Sequence, residues 1–405
     1  MNPERRIAVT GVGLVSALGR DQEEFWSALL EGRCGIRPLT LFDADGCLSG
    51  LAGEASPPAP SPRASGRRLS RTDRFCALAA GEALQQAGLQ PGPALRRFGV
   101  SLGCSTAGML EAQDAYDRAR SRGWRLAPIS PILRVPISTP ADAVARLAQL
   151  EGPRLSNMTA CSSASLAIGL AADLIRRGEV DGMLAGGGDA LCRLTYTGFN
   201  SLRLLSPEPC RPFDRNRGGL SLGEGAGILI LEPWSRVLAR GAPPLAELLD
   251  YGATCDAHHM TASHPSGLGA LAAMTEALER SGVRAPEVDY VNAHGTATVS
   301  NDAAEVQALL ALFGEDVVRV PVSSTKSMIG HLLGGAGGAE AATVVLALRH
   351  QVIPPTLGMR DPEGGGRIDF VPGHARPARL RVALSNSFGF GGANACLVFR
   401  NVENA

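Results

Sequence analysis

Short apolar runs that end in glycine or another small residue, each followed by a longer amphipathic stretch, recur along the chain. Ile7–Thr10 ends in Gly11-Val12-Gly13 and leads to Glu23–Leu30; Phe98–Leu102 ends in Gly103-Cys104-Ser105-Thr106. Leu155–Thr159 leads through Cys161 to a helical pattern over Ser163–Arg177, and Gly182–Gly187 and Gly227–Leu231 read as further strands. The second half repeats the theme with strands at Val288–Val291, Val320–Ser323, Arg381–Ser385 and Cys396–Arg400, and helices at Asp302–Phe313 and Gly335–His350; Arg74–Gln86 is helical in the first. This alternation predicts an α/β protein with helices on both faces of its sheets. Glycine supplies 49 of 405 residues, above the usual share of about 7 %, which points to tight turns and close backbone approaches. Ala55–Arg68 reads as an exposed loop, and the proline-rich stretch Glu232–Pro244 as a seam between halves. No sequence repeat relates the halves.

Charge and cysteine usage narrow the function classes. Lys plus Arg is 39 and Asp plus Glu is 39, so no net field draws nucleic acid or an anionic membrane, and neither is an expected partner. The N-terminal residues run straight into Ile7–Thr10 without a leader-like apolar core, and the uncharged stretch Leu155–Ala172 is broken by Ser, Asn and Thr. Nine cysteines contain no CxxC pair, which argues against a disulfide framework or a metal site and for a reducing, cytoplasmic setting.

Four segments carry reactive side chains at strand ends, where α/β folds collect them. In Asn157-Met158-Thr159-Ala160-Cys161-Ser162-Ser163, a strand runs through a small-residue turn into a helix. Free amides at a helix N-terminus lower a thiol pKa and the turn exposes the side chain, so Cys161 reads as a nucleophile, with a buried structural cysteine as the alternative. His294 in Asn292-Ala293-His294-Gly295-Thr296-Ala297-Thr298 sits among residues too small to bury it. Ser324-Thr325-Lys326-Ser327-Met328-Ile329-Gly330-His331 brings a lysine and a histidine before the run Gly334-Gly335-Ala336-Gly337-Gly338, and Glu340 is placed to hold Lys326. The glycine run lacks the order of a phosphate loop. In Asn386-Ser387-Phe388-Gly389-Phe390-Gly391-Gly392-Ala393-Asn394, two aromatics among glycines suit backbone amides aimed at a ligand oxygen rather than core packing.

Together these motifs resemble the β-ketoacyl-acyl-carrier-protein synthases, the condensing enzymes of fatty acid and polyketide assembly. The likeness runs from Val9-Thr10-Gly11-Val12-Gly13 to the last strand and takes in Arg211-Pro212-Phe213-Asp214 and Gly223-Glu224-Gly225-Ala226-Gly227. It implies a thiolase-like fold of two similar halves, each a mixed sheet between helices: residues 1–243 with the nucleophile, and 244–405 with both histidines, the lysine and the Gly-Phe loop. It implies that Cys161 takes an acyl group from the phosphopantetheine arm of an acyl carrier protein, with no permanently bound cofactor and no metal. His294 and His331 would bind the malonyl thioester carbonyl, and Lys326 with Glu340 would organise them. Phe390 would lend an oxyanion-hole amide and gate the site. Thr296, Thr298 and Thr261 would line the pantetheine channel, Phe199 and Thr106 the acyl pocket, and Asp302 and Glu305 would stand behind the first histidine. His258 and His259 remain surface residues.

Two histidines with a lysine fit elongating rather than initiating synthases, and Cys396, inside a strand, does not match the second thiolase cysteine. Ser162-Ser163, Thr106 and the segment Trp124–Pro140 depart from the fatty acid pattern and leave a specialised pathway open. A homodimer is the expected assembly, a heterodimer with a second ketosynthase-like subunit the variant. The competing readings are a non-catalytic partner subunit, which usually loses the cysteine or a histidine, and a cysteine hydrolase, which leaves one histidine, Lys326 and the Phe-Gly loop unused.

Overall fold

A computed structural model of the chain describes residues 6–56, 69–126 and 129–402. Most of the expected Ala55–Arg68 loop, 57–68, lies outside them. The first half supplies β1 (Ile7–Val15), β2 (Phe98–Gly103), β3 (Arg154–Asn157), β4 (Gly182–Asp189) and β5 (Gly225–Pro233); the second supplies β6 (Ala246–Cys255), β7 (Tyr290–Asn292), β8 (Val322–Ser323), β9 (Val382–Phe388) and β10 (Ala393–Arg400). Their spatial orders are β3-β2-β4-β5-β1 and β8-β7-β9-β10-β6. In each half the first three strands of that order run parallel and the last two pair antiparallel, so the two sheets share one topology. They meet edge to edge where Ile7, Ala8 and Val9 pair with Leu248, Glu247 and Ala246.

Five helices position the site: α1 (Arg71–Gln86), α2 (Ser163–Arg176), α3 (Leu268–Ser281), α4 (Val299–Phe313) and α5 (Ala336–His350). Helix α1 starts in a capping box, where the Ser70 hydroxyl accepts from the Asp73 amide and the Asp73 carboxylate from the Ser70 amide. It covers the outer face of the first sheet, and α3 that of the second. Between the sheets lie α2 and α5, each packed on strands of both halves and on the other. A helix so placed must be apolar all round, and α5 is buried from Ala336 to Leu348. Its glycines serve contact: a Cβ on Gly337 would stand 2.1 Å from Ser165 Oγ, and one on Gly338 2.4 Å from the Gly227 carbonyl oxygen.

The seam at Glu232–Pro244 is not structureless, since β5 runs to Pro233 and Trp234–Ala239 is helical. Strand β6 and helix α3 carry no forecast: Glu247 and Asp250 break the strand pattern of β6, and its buried Glu247 is satisfied by Arg6, whose Nε and Nη2 donate to it at 2.7 and 2.9 Å. None of the helices described is long and apolar enough to cross a membrane.

Candidate active site

Strand β3 ends at Asn157, and the chain turns through Ala160, which adopts a left-handed φ of 51°. Such a backbone persists only when neighbours hold it. The two serines after the cysteine do so: Ser163 Oγ accepts from the Thr159 amide at 2.8 Å and donates to the Ala160 carbonyl at 2.6 Å, and Ser162 Oγ donates to the Thr159 carbonyl at 2.8 Å. Cys161 is thereby fixed just ahead of α2. The turn does not expose it, because the residue is only 6 % accessible. Nor is its thiol acidified in the resting site. Burial pushes it up to about 11, against the opposing pull of Lys326 and of the hydrogen bond from the Phe390 amide. The lowering expected from the helix N-terminus does not prevail, because loss of solvent outweighs every favourable contact of the sulfur.

His294 follows β7 and His331 follows β8, and one nitrogen of each ring lies with Cys161 Sγ in a group whose atoms are all within 4.8 Å of one another. The rings meet edge to face at 5.4 Å and 88°. Their polarity follows from their partners. Leu333 donates its amide to His331 Nδ1 at 2.9 Å, and the Lys326 ammonium, which can only donate, lies 3.4 Å from His294 Nδ1. With Nδ1 accepting, a neutral ring carries its proton on Nε2. Burial first, then Lys326, holds both imidazoles well below their ordinary pKa, so they are neutral near pH 7. Among the described residues, His331 Nε2 is buried without a hydrogen-bond partner. Each neutral ring therefore offers one N–H donor in the group that holds the cysteine. Cysteine and histidine at this spacing also suit a transition metal, but a ring nitrogen that carries its proton has no lone pair to give.

Buried Lys326 donates to the His294 carbonyl at 2.6 Å and pairs with Glu340, whose other oxygen accepts from Ser387 Oγ at 3.4 Å. Glu305, from α4, accepts the amides of His294 and Gly295 at 2.9 and 2.8 Å, and burial raises its carboxyl to about 7. Asp302 accepts the amides of Phe213 and Ala297 at 2.7 and 3.1 Å and lies 3.7 Å from Arg217. These two acids support the His294 loop from behind and do not line the cleft.

The cleft is lined by Cys161, His294, His331, Phe390 and Phe199, together with Thr261, Thr296 and Thr298. Phe390 stacks on Phe199 at 5.5 Å and 25°, and the Thr296 and Thr298 hydroxyls are 2.9 Å apart. Phe388 packs in the second-half core, contrary to the sequence reading, but it also lines the cleft and meets the His294 ring at 5.8 Å. Thr106 is not among the lining residues; its hydroxyl donates to Asp189 and to the Ala190 carbonyl at 2.8 and 2.9 Å. His258 and His259 are exposed. Sequence reasoning missed Asp189, a fully buried carboxylate, and the two serine locks. An acid closing a glycine-rich strand, Gly186-Gly187-Gly188-Asp189, is the signal that marks the first.

Comparison with known proteins decides among chemistries that such a cluster allows. The family model described as "Beta-ketoacyl synthase, N-terminal domain" matches residues 4–236, and "Beta-ketoacyl synthase, C-terminal domain" matches 245–360. The chain belongs to the β-ketoacyl synthase family. It is 38% identical over 413 residues to the 3-oxoacyl-[acyl-carrier-protein] synthase 2 of Synechocystis sp., covering 99% of both chains. It is also 38% identical over 405 residues to Nodulation protein E of Rhizobium meliloti, covering 98% of this chain and 100% of that one. Among solved structures, the ishigamide ketosynthase/chain length factor superposes with a TM-score of 0.91 at 33% identity, over 98% of this chain and 99% of that chain. The fold is the thiolase-type fold of ketosynthases, and the protein is a decarboxylating acyltransferase, a β-ketoacyl-acyl-carrier-protein synthase.

Proposed function

We propose that Cys161 is the acyl-accepting nucleophile of this synthase and that His294 and His331 form the decarboxylation site. The observation that carries this is the grouping of Cys161 Sγ with two imidazoles within 4.8 Å, both rings oriented by donors to Nδ1. In the first half-reaction, Cys161 sulfur attacks the thioester of an acyl group on a carrier protein's phosphopantetheine arm. The carbonyl oxygen receives hydrogen bonds from the amides of Cys161 and Phe390, and the proton lost by Cys161 leaves on the departing pantetheine thiol. In the second, the malonyl thioester oxygen lies against the two Nε2–H donors. Its carbon–carboxylate bond breaks, carbon dioxide departs, and the electron pair becomes an enolate whose charge those donors meet. The enolate carbon then attacks the acyl-cysteine, the carbon–sulfur bond breaks, the β-ketoacyl product forms on the second carrier protein, and the Cys161 thiolate takes a proton from solvent.

In this reading Lys326, locked to Glu340, orients His294 rather than moving a proton, because its ammonium already contacts the His294 carbonyl. Thr261, Thr296 and Thr298 bind the pantetheine amides. Phe390 with Phe199 parts the acyl and malonyl spaces, whereas Thr106, bound to Asp189, is given no substrate contact. The working halves divide at residues 243 and 244. The enzyme uses the carrier protein's arm in place of a bound cofactor and works in the cytoplasm, a setting supported by nine free cysteines. A homodimer is supported by β3, which ends the sheet as an edge strand beside Met158, 59% exposed. A heterodimer with a chain-length-factor-like subunit is the variant, and fatty acid or polyketide-type supply is open to the same site. A non-catalytic subunit is disfavoured by intact Cys161, His294 and His331.

Intact-mass analysis after incubation with acyl- and malonyl-loaded carrier protein tests the reading. A single acyl adduct on Cys161, converted to β-ketoacyl product on adding malonyl carrier protein, supports it. His331→Ala that still condenses at the parent rate overturns the histidine role.

A further inference from the structure

Asp189 closes β4, is fully buried, and accepts only donors. Its Oδ1 accepts from the Ser105 amide at 3.0 Å, the Thr106 amide at 2.7 Å, Thr106 Oγ1 at 2.8 Å and Cys104 Sγ at 3.1 Å. Its Oδ2 accepts from the Ser105 amide at 2.9 Å and from the Gly334 amide at 2.7 Å. The last contact crosses from the first half of the molecule to the second. It lands on the residue next to Leu333, whose own amide donates to His331 Nδ1. Leu333 holds a left-handed φ of 54°, a conformation that costs a leucine on the order of 1–2 kcal/mol and needs an anchor on the following amide. The approach also needs glycine: a Cβ on Gly334 would stand 2.8 Å from Asp189 Oδ2 and 2.6 Å from Ser105 Oγ.

We infer that Asp189 is the positioning residue for His331: by clamping the Gly334 amide it holds Leu333 in the conformation that donates to His331 Nδ1, and so keeps a proton on Nε2 facing the malonyl carbonyl. Released from the clamp, Leu333 relaxes to a right-handed backbone, Nδ1 loses its donor, and the ring takes the other tautomer. Its site-facing nitrogen then presents a lone pair to an oxygen that is gaining negative charge. The acylation half-reaction, which uses the amides of Cys161 and Phe390, does not pass through this chain of contacts.

The inference rests on the proposed role of His331, so the test separates the two. Asp189→Asn replaces one acceptor oxygen with an NH₂ group facing another donor. With octanoyl- and malonyl-pantetheine thioesters as probes, condensation falls about 10²-fold, the cost of one transition-state donor, while Cys161 acylation keeps the parent rate. In ¹⁵N-histidine spectra, the His331 resonances, assigned by their loss in His331→Ala, move to the Nδ1–H tautomer. An unchanged His331 tautomer, parent-level condensation, or a parallel fall in both half-reactions overturns it. If Asp189→Asn does not fold, Gly334→Ala, which displaces the amide and leaves the carboxylate, decides the matter by the same measurements. Full condensation by His331→Ala sinks the histidine reading itself; an inactive His331→Ala beside an active Asp189→Asn sinks this inference alone.

Discussion

The two halves share one strand order, yet they carry different chemistry at equivalent places. After the third strand in chain order, the first half presents Cys161 at the head of α2, and the second presents Lys326 and His331 ahead of α5. After the second strand, the first half has Cys104, Ser105 and Thr106, and the second has His294, Gly295 and Thr296. In both, a buried carboxylate accepts two successive amides of that loop: Asp189 takes Ser105 and Thr106, and Glu305 takes His294 and Gly295. The acids come from different elements, a strand end and a helix. One scaffold thus fixes an electrophile-accepting sulfur on one side and a pair of charge-stabilising donors on the other. In the proposed mechanism the first half acylates and the second decarboxylates, with Cys161, His294 and His331 grouped within 4.8 Å beside the central helices α2 and α5.

Removing the sulfur breaks this division most sharply. Cys161→Ala should lower condensation by about 10⁴-fold or more, abolish the acyl adduct, and leave carbon dioxide release from malonyl carrier protein measurable. Loss of both activities together would show that the halves do not act separately. In the resting wild-type enzyme, alkylation of Cys161 should rise with pH throughout the neutral range, because burial holds its thiol near 11.

The next largest effect tests the buried pair of the second half. Glu340→Ala leaves the Lys326 ammonium, within a site 2 % exposed, without its carboxylate. Breaking such a pair costs about 3–5 kcal/mol, read as a lower denaturation midpoint at constant slope. A double replacement, Lys326→Met with Glu340→Leu, should recover much of that stability while condensation stays low. Recovery of activity as well would remove Lys326 from the account.

Glu305 sharpens the contrast between the two clamps. Its carboxyl is raised from the ordinary glutamate range to about 7 by burial. Between those limits the folded chain keeps a proton that the unfolded chain releases. Its contribution is therefore fully present below the ordinary glutamate range and is lost as pH rises toward about 7, by at most about 3 kcal/mol. Glu305→Gln should flatten that part of the stability–pH curve, measured by denaturant titration. An identical slope in the variant would assign the proton elsewhere.

How much of this the sequence reveals follows from where each signal lies. The nucleophile turn, the His294 loop, the Lys326–His331 segment and the Phe-Gly loop are local strings, so their residues and strand-end positions are legible. The shared topology is legible only through the family resemblance, because it lies in strand pairing across more than 100 residues, as between Ile7 and Leu248, and the two halves keep no common residue pattern. Strand β6 is obscured by Glu247, a charge that distant Arg6, with Arg400 4.0 Å away, makes tolerable. The ionisation of Cys161 is misread because a helix N-terminus is visible in sequence and solvent exclusion is not. Asp189 is missed for the same reason, since its six contacts come from Cys104, Ser105, Thr106 and Gly334.

The equivalent second-strand loops give the smallest and most discriminating effect. Thr296 and Thr298 line the cleft, with hydroxyls 2.9 Å apart, whereas Thr106 in the matching loop turns its hydroxyl to Asp189. If the second-half loop alone handles the carrier arm, Thr296→Val with Thr298→Val should raise KM for malonyl carrier protein about 10-fold, the worth of one or two hydrogen bonds, with kcat nearly unchanged. Thr106→Val should leave that KM alone and appear in stability, because it strips one donor from a buried carboxylate. A KM effect from Thr106→Val as large as that of the double variant would mean that both loops touch the arm, and the division of labour between the halves would fail at the step where substrate arrives.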